Sequence, residues 1–266
     1  MKLIPQATGP FSKWPFFEKN ELEKIAIDDL RACRLLPEAP GPVNIESLVK
    51  ALFGFDPVYT NPGEGIMGFI RFGPKKPESI IIHEELTALD GGPTVEHRFR
   101  STLAHEIGHG RLHVAPFTEL FQAKQTGYAT EFVRSPGTRK PTFLCRASDI
   151  RDGESARGPG LANWEHMAEW QANRYMGAIL TPARLVSQAV RDALGLTDTH
   201  TSLALTQAQR AALAPEISRL FNVSRQLASI RLSELFPDPE PQGDLFSTPI
   251  TLVPRTVACG TVVCGS

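Results

Sequence analysis

Cysteine is scarce in this chain: Cys33, Cys145, Cys259 and Cys264 are the 4 in 266 residues. They are too few and too scattered for a disulfide framework, so reduced thiols and a cytoplasmic location are expected. No run of about twenty apolar residues occurs, which leaves no segment to span a bilayer. The opening Met1-Lys2-Leu3-Ile4-Pro5-Gln6 lacks the apolar core and small-residue cleavage site of a signal peptide. No charge excess is present either. The formal net charge is -1 and the pI about 6.7, so bulk attraction to nucleic acid or to an anionic membrane is not expected. Neither is global disorder, because hydrophobic residues make up 41% of the chain and can build a sizeable core.

What is present reads as four stretches. Residues 1–40 combine an arm rich in Pro and aromatics, expected to be irregular over 1–18, with a helix over about 21–35 capped by Asn20. Residues 41–200 form the expected main domain. In it Asn44 starts a second helix, short apolar runs at 58–59, 65–72 and 79–83 predict strands of one sheet, and a long helix covers 94–113. Residues 114–160 read as an excursion around a site, with a strand at 142–145. Helices over 163–180 and about 183–194 follow. Residues 201–236 form a helical segment that resembles a helix-turn-helix, with Val223-Ser224 at the turn and Arg225, Gln226 and Arg231 placed on the outer side. Residues 237–266 are a tail that begins Pro-rich. The fold class is α+β: a small sheet packed on the long helix, with mostly helical C-terminal material.

The long helix carries His105-Glu106-Ile107-Gly108-His109. Residues four apart share a helix face, so His105 and His109 can offer imidazole nitrogens to one ion, at about 2.0–2.1 Å each. Glu106 is offset by one position, which suits a general base acting on the water that zinc acidifies. Chance placement yields the pattern in roughly one chain in a hundred of this histidine content. Gly108 is expected to leave room for a close sheet or for substrate. His113 repeats the four-residue step but would point past the metal, as a cap, a support or an exposed side chain.

A catalytic zinc needs a third protein ligand and an open position. The helix over 163–180 offers Glu165, His166 and Glu169. Glu169 is chosen because Ala172 lets the two helices approach, and Asn173, one turn on, can hold a metal-bound imidazole. Cys145 lies between the two ligand blocks. It is either a buried core cysteine or an inhibitory fourth ligand, a switch in which Cys259 and Cys264 are rivals. Tyr128, Tyr175 and His200 are open alternatives for stabilising an oxyanion. Arg134, Arg139, Lys140, Arg146 and Arg151 form either a solvated loop or a track for a single strand's backbone.

Two blocks resemble the ImmA/IrrE metallopeptidases: Phe99 to His109 with Leu112-His113, and Glu169-Trp170-Gln171-Ala172-Asn173-Arg174-Tyr175-Met176 leading into Ile179-Leu180-Thr181-Pro182. The likeness covers about residues 40–235, with Thr181 where the family carries Met before the proline. It implies a zincin-like fold with zinc on His105, His109 and Glu169, and catalysis by Glu106. It also implies a substrate class, helix-turn-helix repressors cut to release a silenced operon in stress, DNA-damage, mobile-element or phage-defence responses. Single-stranded DNA is an effector that such a role would suit. Residues 1–40 are too short for the DNA-binding domain many relatives carry there, so the chain is expected to resemble the stand-alone members. The competing class is a nucleic-acid or redox sensor with a structural zinc.

Overall fold

The computed structural model describes residues 1–88, 90–134, 163–197 and 203–239, together with the backbone of 142–146. The chain starts not as an irregular arm but as an antiparallel strand pair, β1 (Lys2–Pro5) and β2 (Lys13–Phe16). Aromatic burial explains it. In β2, Trp14 turns fully inward, and nearby Phe11 is equally buried, each meeting Trp164 edge-on or tilted at under 5 Å between ring centres. Burying a large side chain in this way contributes about 1.5–3 kcal/mol, enough to hold a short strand pair that would not survive alone.

Helix α1 (Lys19–Ala32) begins two residues before the expected start, with its cap at Glu18 and not Asn20. The Glu18 N–H donates to the Glu21 carboxylate at 2.9 Å, so an acid three residues on does the work assigned to Asn20. Helix α2 (Ile45–Phe53) starts as expected, with the Ser47 N–H donating to Asn44 Oδ1 at 3.0 Å.

Strands β3 (Val58–Thr60), β4 (Ile66–Phe72), β5 (Pro77–His83) and β6 (Thr142–Arg146) form one mixed sheet in the order β3-β5-β4-β6. Only β3 and β5 run parallel. β-Branched residues dominate its covered face: Ile70, Ile80 and Ile82 are fully buried. Helix α3 (Gly92–Leu112) lies against that face, with α5 (Trp164–Leu180) on its other side and α1 packed on α5. A Cβ on Gly68 of β4 would come within 2.9 Å of both the Ile81 carbonyl and the Thr102 methyl, so this glycine sets how closely α3 approaches the sheet.

Helix α4 (Val114–Thr126) occupies part of the stretch read as an excursion. Helices α6 (Ala183–Leu194), α7 (Gln207–Phe221) and α8 (Arg225–Leu235) complete the C-terminal part. A tight turn through Asn222, in the left-handed conformation, joins α7 to α8. Arg231 is not on the outer side. It is 2% exposed, ion-paired with Glu23 and Glu234, and donates to the Thr181 carbonyl, so it fastens α8 to the core. Arg134, read as part of a basic track, instead donates to the carbonyls of Gln6 and Ala7 and pins the N-terminal strands. Among the described residues no helix is long and apolar enough to cross a membrane.

Candidate metal centre

Four ionisable side chains lie within three turns of α3 and the residue that caps it: His105, Glu106, His109 and His113 are all at most 1% exposed. Burying such groups is costly unless partners or an ion compensate for the lost water. The partner for two of them comes from α5. Glu169 Oε2 lies 3.1 Å from His105 Nε2, and its Oε1 lies 3.4 Å from His109 Nε2. The two imidazole Nε2 atoms are 2.9 Å apart. Ligands bound tetrahedrally at about 2.0–2.1 Å from one zinc ion stand roughly 3.3 Å from one another, so these three side chains fit a single ion. They are the one group of this kind among the described residues. The Glu169 side chain is 28% exposed, which leaves one approach to an otherwise buried site.

Helix packing creates this convergence. A Cβ on Gly108 would sit 3.0 Å from both the Cα and the carbonyl oxygen of Ala172. Gly108 therefore serves neither the sheet nor a substrate, as its neighbours in sequence suggested. It admits the backbone of α5, and Ala172 matches it from the other side. Glu169 and Asn173 flank that contact one turn apart, whereas His166 is exposed and Glu165, at the start of α5, stands outside the ligand group.

The surrounding hydrogen bonds fix which nitrogens face the ion. His105 Nδ1 is 2.9 Å from Asn173 Oδ1. A carbonyl oxygen only accepts, so His105 Nδ1 carries the proton, and Nε2 of the neutral ring keeps its lone pair for the metal. His109 Nδ1 is 3.2 Å from His113 Nδ1. Burial, reinforced by the neighbouring His109, pushes the His113 pKa well below its ordinary value of 6.5, so His113 stays neutral and can accept that proton. His113 thus supports His109 from a buried position, with Trp14 of β2 tilted beside it at 5.2 Å between ring centres.

Without a metal, the site holds a proton in the cation's place. Burial works against a charged His105, but the Glu169 carboxylate outweighs it and raises the His105 pKa to about 9, helped by Glu106 and Asn173. Burial likewise opposes ionisation of Glu169, yet His109 and His105 hold its carboxyl well below the usual range. Glu106 contributes to this field from a fully buried position one residue from His105, and it is not one of the three converging groups.

A further positioning residue escaped the sequence reading. Asp29 of α1 accepts from Arg111 Nε at 2.8 and 3.0 Å and from the Tyr175 hydroxyl at 2.7 Å. Arg111 follows His109 by two residues and Tyr175 follows Asn173 by two, so Asp29 clasps α3 to α5 beside the ligands. The available signal was an acid at the buried spacing Leu22, Ala26, Asp29, Leu30. Tyr175, with its hydroxyl held by Asp29, is not aimed at the site, and Tyr128 is 78% exposed. His200, Arg139, Lys140, Arg151, Cys259 and Cys264 lie outside the described residues. Cys145 pairs through its backbone with Gly68 on the β6 edge of the sheet, and its side chain lies outside them, as does that of Arg146.

Fold and site together define an α+β protein with a group that could hold a metal ion, in an arrangement compatible with a zincin-like site: two histidines four apart on one buried helix and a glutamate from a second. No model of a known protein family and no curated protein matches the chain.

Proposed function

We propose that this chain is a zinc-dependent endopeptidase of the ImmA/IrrE kind. The observation that carries the reading is the meeting of His105, His109 and Glu169, with a buried glutamate next to the first of them. Zinc bound there supplies a Lewis acid that brings the pKa of water towards neutrality. Every other role falls to the chain itself. Glu106 takes the proton of the attacking water and returns it to the departing amine nitrogen. Asn173 and His113 hold the two imidazoles in the tautomers that leave Nε2 unprotonated. The Gly108–Ala172 contact and the Asp29 clasp hold the two helices in register.

The substrate belonging to this reading is a helix-turn-helix repressor, cut to release its operon. Single-stranded DNA would act as effector and a cysteine, Cys145 first, as the latent-state ligand. Support for this part comes from the resemblance of the two motif blocks. A sensing module with a structural zinc fits less well, because structural sites take four protein ligands and three converge among the described residues.

The test is cleavage of any helix-turn-helix protein found encoded beside this chain, by wild type and by Glu106→Gln with equal zinc content. Cleavage by wild type alone supports the proposal. Equal cleavage by both, or none by either across effectors, contradicts it.

A further inference from the structure

A cleft of about 1070 Å³ opens beside the N-terminal half of α3, between that helix and the α7–α8 turn. Arg98 of α3, Arg219 of α7 and Arg225 of α8 line it, with Glu216 the one carboxylate among its lining residues. All three arginines are exposed, and among the described residues none forms a salt bridge. Elsewhere Arg111, Arg174, Arg210 and Arg231 are each matched by an acid. Two helix N-termini open onto the same space, α3 through Pro93 and Thr94 and α8 through Ser224, Arg225 and Gln226, and neither has an acid in its first turn. Their partial positive charge adds to that of the arginines and is opposed only in part by the C-terminal end of α7 at Ser218, Arg219 and Asn222. In a chain of net charge -1 this is a local concentration of positive potential aimed into a concavity.

The cleft is aligned with the metal centre. Thr94, Arg98, Ser101 and His105 follow one another at steps of four, three and four along one stripe of α3. At 1.5 Å of rise per residue, Arg98 stands roughly 10 Å along the axis from His105. An extended peptide advances about 3.3 Å per residue, so a chain cut at the metal centre brings a side chain about three residues away to Arg98. A nucleic-acid strand is the poorer fit, because no Phe, Tyr or Trp lines the cleft to stack on bases.

We propose that this cleft is the subsite for an acidic stretch of the peptide substrate, about three residues from the scissile bond, held by Arg98, Arg219 and Arg225. The proposal rests on the peptidase reading and adds the chemistry by which the enzyme selects its substrate.

The test uses the full chain as zinc-loaded Glu106→Gln, which binds without turnover, and reads fluorescence anisotropy of three probes. These are a labelled peptide of about twelve residues containing Asp-Glu-Asp, its Asn-Gln-Asn counterpart, and a single-stranded oligonucleotide of about twenty bases. The acidic peptide should bind at least about tenfold more tightly than the amide peptide, with Arg98→Ala and Arg225→Ala each removing most of that preference. Lys75→Ala, at an exposed turn on β4–β5, should leave it intact. Equal affinity for the two peptides, or arginine variants without effect, overturns the proposal. So does tighter, arginine-dependent binding of the oligonucleotide. Cleavage of the same peptides by wild type separates this proposal from the one beneath it. Cleavage indifferent to acidity removes the subsite alone, whereas acid-selective, arginine-dependent binding with no peptide cut across effectors keeps the basic cleft as a site for acidic peptides and removes the peptidase.

Discussion

Replacing Gly108 with alanine sets two effects of opposite sign against each other on α3. Helix propensity favours alanine by about 1 kcal/mol, because glycine loses more backbone freedom on folding. Packing opposes it. The new Cβ would stand 3.0 Å from the Cα and the carbonyl oxygen of Ala172, and both are backbone atoms that cannot rotate aside. Overpacking of this kind costs about 1–3 kcal/mol, so the net change in stability should be a loss of roughly 0–2 kcal/mol. The larger consequence concerns the metal. To restore ordinary contact, α5 must retreat by a few tenths of an ångström, and it carries Glu169 and Asn173 with it. Metal–ligand distances tolerate about 0.2 Å, so zinc affinity should fall by at least about tenfold in a protein that still folds. Competition with a fluorescent chelator measures the affinity and thermal denaturation the stability. A Gly108→Ala protein with a raised Tm and unchanged zinc affinity would refute the claim that this contact places the ligands.

Asn173→Ala removes the acceptor that fixes the His105 tautomer and should weaken zinc binding about 10–100-fold, read by the same competition, with Glu169 still in place. Zinc must displace the proton held on His105, so affinity should rise about tenfold per pH unit and level off above pH 9 or so. The metal-free protein should show the opposite trend. The raised His105 pKa stabilises the fold fully below 6.5 and is lost as pH rises through about 9, while the depressed His113 pKa costs stability as pH falls below 6.5 and the depressed Glu169 pKa adds to that loss below 4.5, so chelated protein should be most stable near pH 6.5. Urea titrations across pH check both slopes. Asp29→Ala leaves the buried Tyr175 hydroxyl without its acceptor and should cost about 1–3 kcal/mol in the same titrations, with reduced zinc affinity because the clasp on α3 and α5 is gone.

Local features of this fold were legible in the sequence and long-range ones were not. The spacing of His105 and His109 is a property of one helix, and the Asn44 cap and the apolar runs of β4 and β5 are equally local. Glu169 could be preferred over Glu165 and His166 because Ala172 marks the side of α5 that another helix can approach. The same reasoning failed for Gly108, whose neighbour is decided by tertiary packing. Prolines obscured α4 altogether and the start of α7, although the segment 201–236 was read as helical. Pro116 sits in the first turn of α4, where a missing N–H costs little, and Pro215 lies exposed inside α7 while Leu213, Ala214, Ile217 and Phe221 bury its other face. The strand pair at 2–16 was obscured for a related reason, since its stability resides in Phe11 and Trp14 meeting Trp164 about 150 residues later. Arg231 and Asp29 were misread or passed over because charged residues inside a core reveal themselves only through partners distant in sequence.

The metal centre is tested most directly by the zinc content of purified protein, measured by elemental analysis for wild type, Glu106→Gln and Glu169→Gln. One zinc per chain in the first two, lost or strongly weakened in the third, is the predicted result. No zinc in wild type, or the same zinc content in all three, would contradict the assignment of His105, His109 and Glu169 as the metal centre.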